Sequence, residues 1–433
     1  MPAVGSARRR RRLRSCRGAA FALAALSGGA AVEPRPAVAA ETVHVRSSIE
    51  FQHAVASFRE SGGEIVLRGG RYEHIFVGPR GSARLTVRGT RNASVGRLTM
   101  GPTRSVTVIG LRFTPSYQDA GITVTDAQNI RFERIVVTGR DTGFKSNLLL
   151  NNATGVTIER SRFSRCGDRA VCVLTGWSTG VRILRSTFVD CFGCDFIRGN
   201  FRRNLVIREN TFDRALVGPC GTDNALCNHQ EMIELHAGER LFIERNRFGV
   251  YEPPGAGQVA LFGPIHDVRI RDNLFLRTDP RAPGEVSRVA INLGGRAAHP
   301  KRVVIAHNTI LAGRPHWRGF ANSIRLKPSI VFMPLEDRPV IANNIIRLAR
   351  TPRFFCRNVR LSTGNLIADG EPCSRDDAVG SPRLSPSMRL TDESTNAIGL
   401  GDPEWATRLD LRGVPRQSPP AAGAFEYVPP RPR

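Results

Sequence analysis

Past residue 40 the chain contains no apolar run long enough to cross a bilayer, which excludes a helical membrane span there. Outside residues 48–60 it lacks a sustained helical apolar period, so helical bundles and helical repeats are excluded as well. Acidic residues are in short supply: 38 Asp and Glu stand against 63 Lys and Arg, a formal charge of +25 at pH 7. No recognisable nucleic-acid-binding motif accompanies that charge, and no nucleic acid partner is expected. The spacing Cys-x-x-Cys occurs once, at Cys191-Phe-Gly-Cys194. Without a second such pair or a βαβ pattern around it, a zinc or thioredoxin-like redox site is not supported.

What the chain has instead is a recurring block: VTVIGLRF (106–113), IRFERIVV (130–137), VTIERSRF (156–163), VRILRSTF (181–188), LVIRENTF (205–212), LFIERNRF (241–248), VRIRDNLF (268–275) and VVIAHNTI (303–310). With Val108, Phe132, Ile158, Ile183, Ile207, Ile243, Ile270, Ile305 and Ile341 as anchors, the steps are 24, 26, 25, 24, 36, 27, 35 and 36 residues. Such a period predicts a solenoid. Each unit alternates β-branched residues with polar ones between turn residues, so the units are coils of strand. One coil cannot bury its own apolar face; coils must stack, Ile on Ile and Phe on Phe. Asn210, Asn246, Asn273, Asn308 and Asn344 each fall three residues after an anchor, a register that predicts an asparagine ladder from coil to coil.

These blocks resemble the right-handed parallel β-helix superfamily that includes pectate lyases, polygalacturonases and alginate epimerases, over roughly residues 41 to 375. The resemblance implies an all-β, single-stranded, right-handed parallel β-helix of about ten coils. Residues 48–60 read as an amphipathic helix with Ser47 or Ser48 as N-cap, followed by Gly62-Gly63 and a strand, Glu64-Ile-Val-Leu-Arg-Gly-Gly-Arg-Tyr72. That order resembles the superfamily's N-terminal helical cap, which seals the open end of the solenoid. The expected organisation is a signal peptide at 1–40, cap and first coils at 41–103, the β-helix at 104–375 and a C-terminal strap and tail at 376–433. Three long steps mark inserted loops near 214–230, 279–300 and 312–337.

The N-terminus carries a basic run, Arg8 to Arg12 with Arg14 and Arg17, then the apolar stretch 18–32 and the small residues Ala37-Val38-Ala39-Ala40. This reads as a secretory signal, with an uncleaved anchor as the alternative, and predicts a secreted or periplasmic protein. Eight cysteines follow it, which in an exported chain favours disulfides. Cys166 and Cys191 both lie eight residues after their anchors and are expected to bond across adjacent coils, while Cys220 with Cys227 and Cys356 with Cys373 read as local staples. The charge predicts an acidic partner, a uronate-containing polysaccharide or cell-surface glycan. The competing reading is Arg at solvent-facing positions of each coil, as at Arg131, Arg134, Arg160, Arg182 and Arg185.

Substrate clefts in the resembled superfamily lie along one parallel sheet, which directs attention to the strand about ten residues before each anchor. Alternation turns Ile197, Ile233 and Leu235 inward and leaves Thr123, Leu149, Leu174, Arg198 and Glu234 outward on successive coils. Polarity thus begins at Arg198 and Glu234, which are expected to be solvent-facing neighbours with Asn200 and His236 beside them. Asn292, Arg325 and Lys327 follow on later coils, and the loop ahead of Glu234 adds His229 and Glu231. Proton abstraction from an acidic sugar needs a cation for the carboxylate, a role for Arg198, and a base, a role for His236 or His229. Glu234 would orient that base or, in a hydrolase, act as acid with Glu231 as second carboxylate. Asn200, Glu231, Asn292, Arg325 and Lys327 are the expected substrate contacts.

The chain carries no Asn-Thr-Asp with Asp-Asp and Gly-His-Gly of polygalacturonases, no Asp-Pro-His-Asp of alginate epimerases, and no evident calcium-binding carboxylate cluster of pectate lyases. No cofactor and no metal ligand set is therefore assigned, and a monomer is expected. Two functions stay open: an exported lyase, epimerase or hydrolase of an acidic polysaccharide, and a non-catalytic glycan-binding or adhesin-like surface protein.

Overall fold

The computed structural model describes residues 41–115, 120–139, 146–167, 171–216, 230–251, 257–276, 289–294, 298–311, 324–326, 330, 332–347 and 356–429. The N-terminal segment 1–40, Cys220, Cys227, His229, Lys327 and parts of the three inserted loops lie outside the described residues. The described chain is a parallel β-solenoid of about ten turns with one short N-terminal helix. Every pairing between its strands is parallel, each strand bonding to the equivalent strand one coil on.

Three faces arise from this stacking. On the first, the anchors pair in register, Val108 with Phe132, Ile158, Ile183, Ile207, Ile243, Ile270, Ile305 and Ile341 in turn, and the row extends back through Val87 to Ile65. On the second, Phe163, Phe188, Phe212, Phe248 and Phe275 stack with ring centroids 5.0, 5.0, 5.1 and 4.5 Å apart. All five rings are fully buried, each burying apolar area that its own coil could not cover. The third face carries strands such as Ile122–Thr125 and Leu148–Asn151 and holds the candidate site.

Between the first two faces the chain turns in the same way on coil after coil. Arg134, Arg160, Arg185, Glu209, Arg245, Asp272, His307 and Asn343, each two residues after an anchor, have φ between 48° and 59°, the left-handed region that costs non-glycine residues about 1 kcal/mol or more. The next residue offsets that strain. Asn246 donates its backbone N–H and its Nδ2 to Asn273 Oδ1 at 2.9 and 3.0 Å, and Asn273 does the same to Asn308 Oδ1 at 3.0 and 2.9 Å. Each Nδ2 also donates to a backbone carbonyl of the preceding coil, as Asn273 does to Ile243 at 2.8 Å. The ladder is longer than the five asparagines: Ser161 and Ser186 precede them, and Asn365 and Asp377 follow.

At the N-terminal end, helix Ser48–Ser57 is capped by Ser47, whose hydroxyl accepts from Glu50 N at 3.1 Å, and buries Phe51 and Ala54. At the other end, the segment after residue 384 folds back along the coils. Asn343 and Asp402 exchange two hydrogen bonds of 2.7 and 2.8 Å, and Ala424 N donates to Thr309 Oγ1 at 2.9 Å. Its charged anchor is buried: Arg416 Nη2 sits 2.6 Å from Asp272 Oδ1 and Nη1 3.4 Å from Glu426 Oε2.

The cysteines correct one expectation. Cys166 and Cys191 are Cα partners on adjacent coils, as their register requires, yet they do not bond to each other. The bonds are Cys166–Cys172 and Cys191–Cys194, with Cα separations of 5.4 and 5.5 Å. Equivalent residues of a parallel ladder project side by side in one direction, whereas the bend after each strand folds a second cysteine back over the first. Cys356–Cys373 forms as the spacing predicts.

Replacing Asn273 by Ala strands the Asn246 backbone N–H and the Asn246 amide in a dry interior and removes one of the donors to the Ile243 carbonyl. At about 1–3 kcal/mol for each orphaned group, a loss of roughly 3 kcal/mol or more is expected, read as a lowered urea midpoint. Peptide mapping without reductant is expected to return the Cys166–Cys172 and Cys191–Cys194 linkages; a Cys166–Cys191 peptide would contradict the structure.

Candidate functional site

On the third face the outward row runs Thr123, Leu149, Leu174, Arg198, Glu234, Ala260, Asn292, Arg325, each residue paired with the next. Strands Asp195–Arg208 and Ile233–Glu244 set the centre, because Ile197, Ile233 and Leu235 are locked into the core and force their neighbours to the other side. Arg198 Nε lies 3.1 Å from Glu234 Oε2, and His236 Nε2 lies 3.0 Å from Glu234 Oε1. The Arg198 and His236 side chains are 45% and 38% exposed, and Glu234 only 7%, so the cation and the imidazole form a surface over a buried carboxylate.

Two glycines shape this surface. Gly199 has φ 128°, and a Cβ there would overlap the Thr175 carbonyl, so only glycine allows the register shift that follows it. Because of that shift Asn200 pairs with Ala237, and His236 is displaced from it rather than standing beside it. Gly263 passes so close to the His236 carbonyl that any Cβ would collide with it. His236 is held from below and flanked by Phe262, ring centroids 6.0 Å apart.

Beneath the row lies a group that the sequence reading did not assemble. Asp195, Glu231 and Glu234 are all buried, with carboxylate oxygens within 4.8 Å of one another. Asp195 accepts from Glu231 N at 2.8 Å and faces Arg198 Nη1 at 3.4 Å. Burial first, then the charges of Glu234 and Glu231, hold the Asp195 carboxyl well above the usual carboxylate range. Glu234 shifts the other way: burial opposes its ionisation, but the hydrogen bond from His236, the charge of Arg198 and a hydrogen bond from Asp195 outweigh it. Asp195 is therefore the neutral, proton-donating member of the pair. The expectation that Glu234 faces solvent is overturned, since Arg198 and His236 cover it. The buried cluster offers hard oxygen ligands of the kind calcium takes.

Glu231 is fully buried and cannot touch a polymer on the surface, which removes it as a substrate contact or second carboxylate of a hydrolase. Arg325 lies farther along the same row, beyond Ala260, and is partly exposed, whereas Asn292, paired between them, is buried and does not reach the surface expected of a substrate contact. His229 and Lys327 fall outside the described residues. Asp195 was legible in the spacing: Asp195 and Arg198 stand three apart, as do Glu231 and Glu234 one 36-residue coil later.

Residues 98–250 match the family model of the right handed beta helix region. That stretch of the parallel β-solenoid is a right-handed β-helix region. No curated protein matches the chain. Among solved structures the β-helix resembles PfbA, a surface adhesin of Streptococcus pneumoniae, at 13% identity over 61% of this chain and 86% of that one, with a TM-score of 0.46. It also resembles pectate lyase Pel9A, at 14% identity over 90% and 98% with a TM-score of 0.42, and the PL6 family alginate lyase AlyGC, at 12% over 90% and 60% with a TM-score of 0.42.

The protonation of Asp195 has a consequence for stability. A carboxyl raised in the folded state keeps a proton that the unfolded chain has released, so its contribution is full below its unfolded value and is lost as pH rises through the folded one. Asp195→Asn keeps the neutral donor and removes that dependence. Urea unfolding at pH 5 and pH 8 is expected to show the variant gaining on the parent at the higher pH; an advantage that shrinks with pH would refute a protonated Asp195.

Proposed function

We propose that this β-helix is an exported protein acting on an acidic, uronate-containing polysaccharide, by lyase or epimerase chemistry centred on Arg198 and His236. The observation that carries the reading is the hydrogen bond between His236 and the buried Glu234, beside an exposed guanidinium on the same parallel sheet. In the neutral imidazole, Glu234, kept ionised, accepts from His236 Nε2 and selects that tautomer, so that Nδ1 bears the lone pair that removes a proton. Arg198 meets the sugar carboxylate and stabilises the charge that develops as the C5 proton leaves. In elimination the electron pair forms the C4–C5 double bond as the C4–O bond breaks, and the leaving oxygen takes a proton from the protonated His236 or from water; in epimerisation water delivers a proton to C5 from the opposite face. Glu234 and Asp195 are positioning residues.

Arg198 and Arg325 are four coil spacings apart, about 19 Å at about 4.8 Å each, so Arg325 would contact a sugar remote from the reacting one. Three disulfides support an oxidising, extracellular compartment, and among the described residues no helix is long and apolar enough to cross a membrane.

A panel of acidic polysaccharides, followed by ultraviolet absorbance of unsaturated product and by reducing ends, tests the proposal. His236→Ala is expected to lower turnover by about a hundredfold or more while the melting temperature stays close to the parent's, since the side chain is partly exposed. Binding without turnover, weakened by Arg198→Ala and by salt, would make the face a glycan-binding surface instead; neither effect would leave Arg198 and Glu234 as a structural ion pair.

A further inference from the structure

A second polar concavity lies away from the Arg198 face, where the C-terminal strap crosses the anchor sheet. It consists of two adjoining hollows of about 290 and 300 Å³ that share Arg245. The first is lined by Arg208, Arg245 and Arg271 from the sheet and Arg408 from the strap. Two carboxylates, Glu244 and Asp272, enter its wall, and both are engaged: Glu244 accepts from Arg208 at 2.6 Å, and Asp272 is held by the buried Arg416. Arg271 is mostly buried, burial lowers the affinity of its guanidinium for its proton, and its Nε has no hydrogen-bond partner among the described residues. Arg408 makes no ion pair among the described residues, and its side chain is exposed.

The second hollow adds Arg247, Arg389 and Arg412 over an apolar floor of Leu274, Leu411 and Phe425, with the Arg412 guanidinium 5.8 Å from the Phe425 ring centre; its one carboxylate, Glu209, is engaged by Arg245 at 2.5 Å. The two clusters are thus successive, each rich in planar forks that match an oxyanion in bidentate fashion. The apolar floor of the second hollow suits the C–H face of a sugar ring, which a free inorganic anion does not possess. The strap that forms one wall is fixed by Asp272, Thr407 and Arg416, so the concavity is built before any ligand arrives.

We propose that this groove binds an acidic oligosaccharide, seating two successive anionic groups on its two arginine clusters. The inference does not rest on the Arg198 site, whose residues stand earlier on the same strands, on the third face and not on the anchor face, and its readout is affinity rather than turnover.

Calorimetric titration of the full chain with a heparin-derived octasaccharide tests it. Arg247→Ala combined with Arg408→Ala removes one exposed cation from each hollow and is expected to weaken binding about tenfold or more. Arg104→Ala with Arg112→Ala, which removes the same charge from exposed positions on early coils, is expected to change it about twofold at most. Equal losses in the two double variants would mean that net charge alone binds the probe and would overturn the proposal, as would unchanged affinity in the first. Inorganic phosphate that binds the parent while the octasaccharide does not would make the groove a free-anion site. A single-stranded octanucleotide that binds as tightly as the octasaccharide would likewise overturn the assignment to carbohydrate.

Discussion

The structure depends on one repeated exchange: a strained turn residue followed by a buried side-chain amide or hydroxyl. On coil after coil the backbone enters the left-handed region two residues past the anchor, and side chains such as Arg, His and Asp accept that conformation only because the next residue is tied both ways. The Nδ2 of that residue reaches back one coil and its Oδ1 receives two donors from it. A buried amide with all partners in place is rigid, and one with a missing partner costs about 1–3 kcal/mol per orphaned group. The ladder therefore fixes register as well as stability, and register is what aligns every outward row, including the one that carries the candidate site.

Because rows are fixed, charges must be compatible with their neighbours one coil away. Around Glu133 and Glu159 the protein places Arg131, Arg134, Arg160 and Arg185, so Glu159 is ionised despite burial, its desolvation outweighed by the Arg185 hydrogen bond and the surrounding guanidinium charges. Part of the basic excess is thus structural. The Arg198 row uses the same materials in another proportion: three buried carboxylates against one guanidinium and one imidazole. A site short of cations must keep a proton, and Asp195 does. The strap makes the opposite choice at the groove, where guanidinium groups outnumber the carboxylates free to meet them.

Spacing made the anchors, the phenylalanine stack, the five asparagines and the Arg198–Glu234 adjacency legible, because each depends on residues of one type recurring at one offset. Ser161 and Ser186 were not, since a hydroxyl serves the ladder only as acceptor and breaks the asparagine signal. Cysteine pairing failed for a related reason. Register reports which residues are level, but the path of the chain at a corner decides which sulfur faces which. Burial of Glu234 was equally hidden, because alternation separates inward from outward positions but cannot show that flanking Arg198 and His236 roof over an outward one. The Gly199 shift, which moved Asn200 away from His236, leaves no periodic mark at all.

The unequal steps tie the fold to the site. The steps of 36, 35 and 36 residues end at Ile243, Ile305 and Ile341, and their extra residues enter after strands Thr211–Leu216, Leu274–Phe275 and Thr309–Ile310, ahead of the third-face strands. Those same coils contribute Glu234, Asn292 and Arg325 to the outward row, whereas the 27-residue coil between the first two contributes only Ala260. Inserted chain at one corner leaves the ladder and the phenylalanine stack in register, since neither lies on the altered path. A solenoid can therefore vary the border of one face freely while the opposite faces carry its stability, and Glu234, Asn292 and Arg325 sit where that freedom was used, whereas Arg198 comes from the 24-residue coil just before the first insertion.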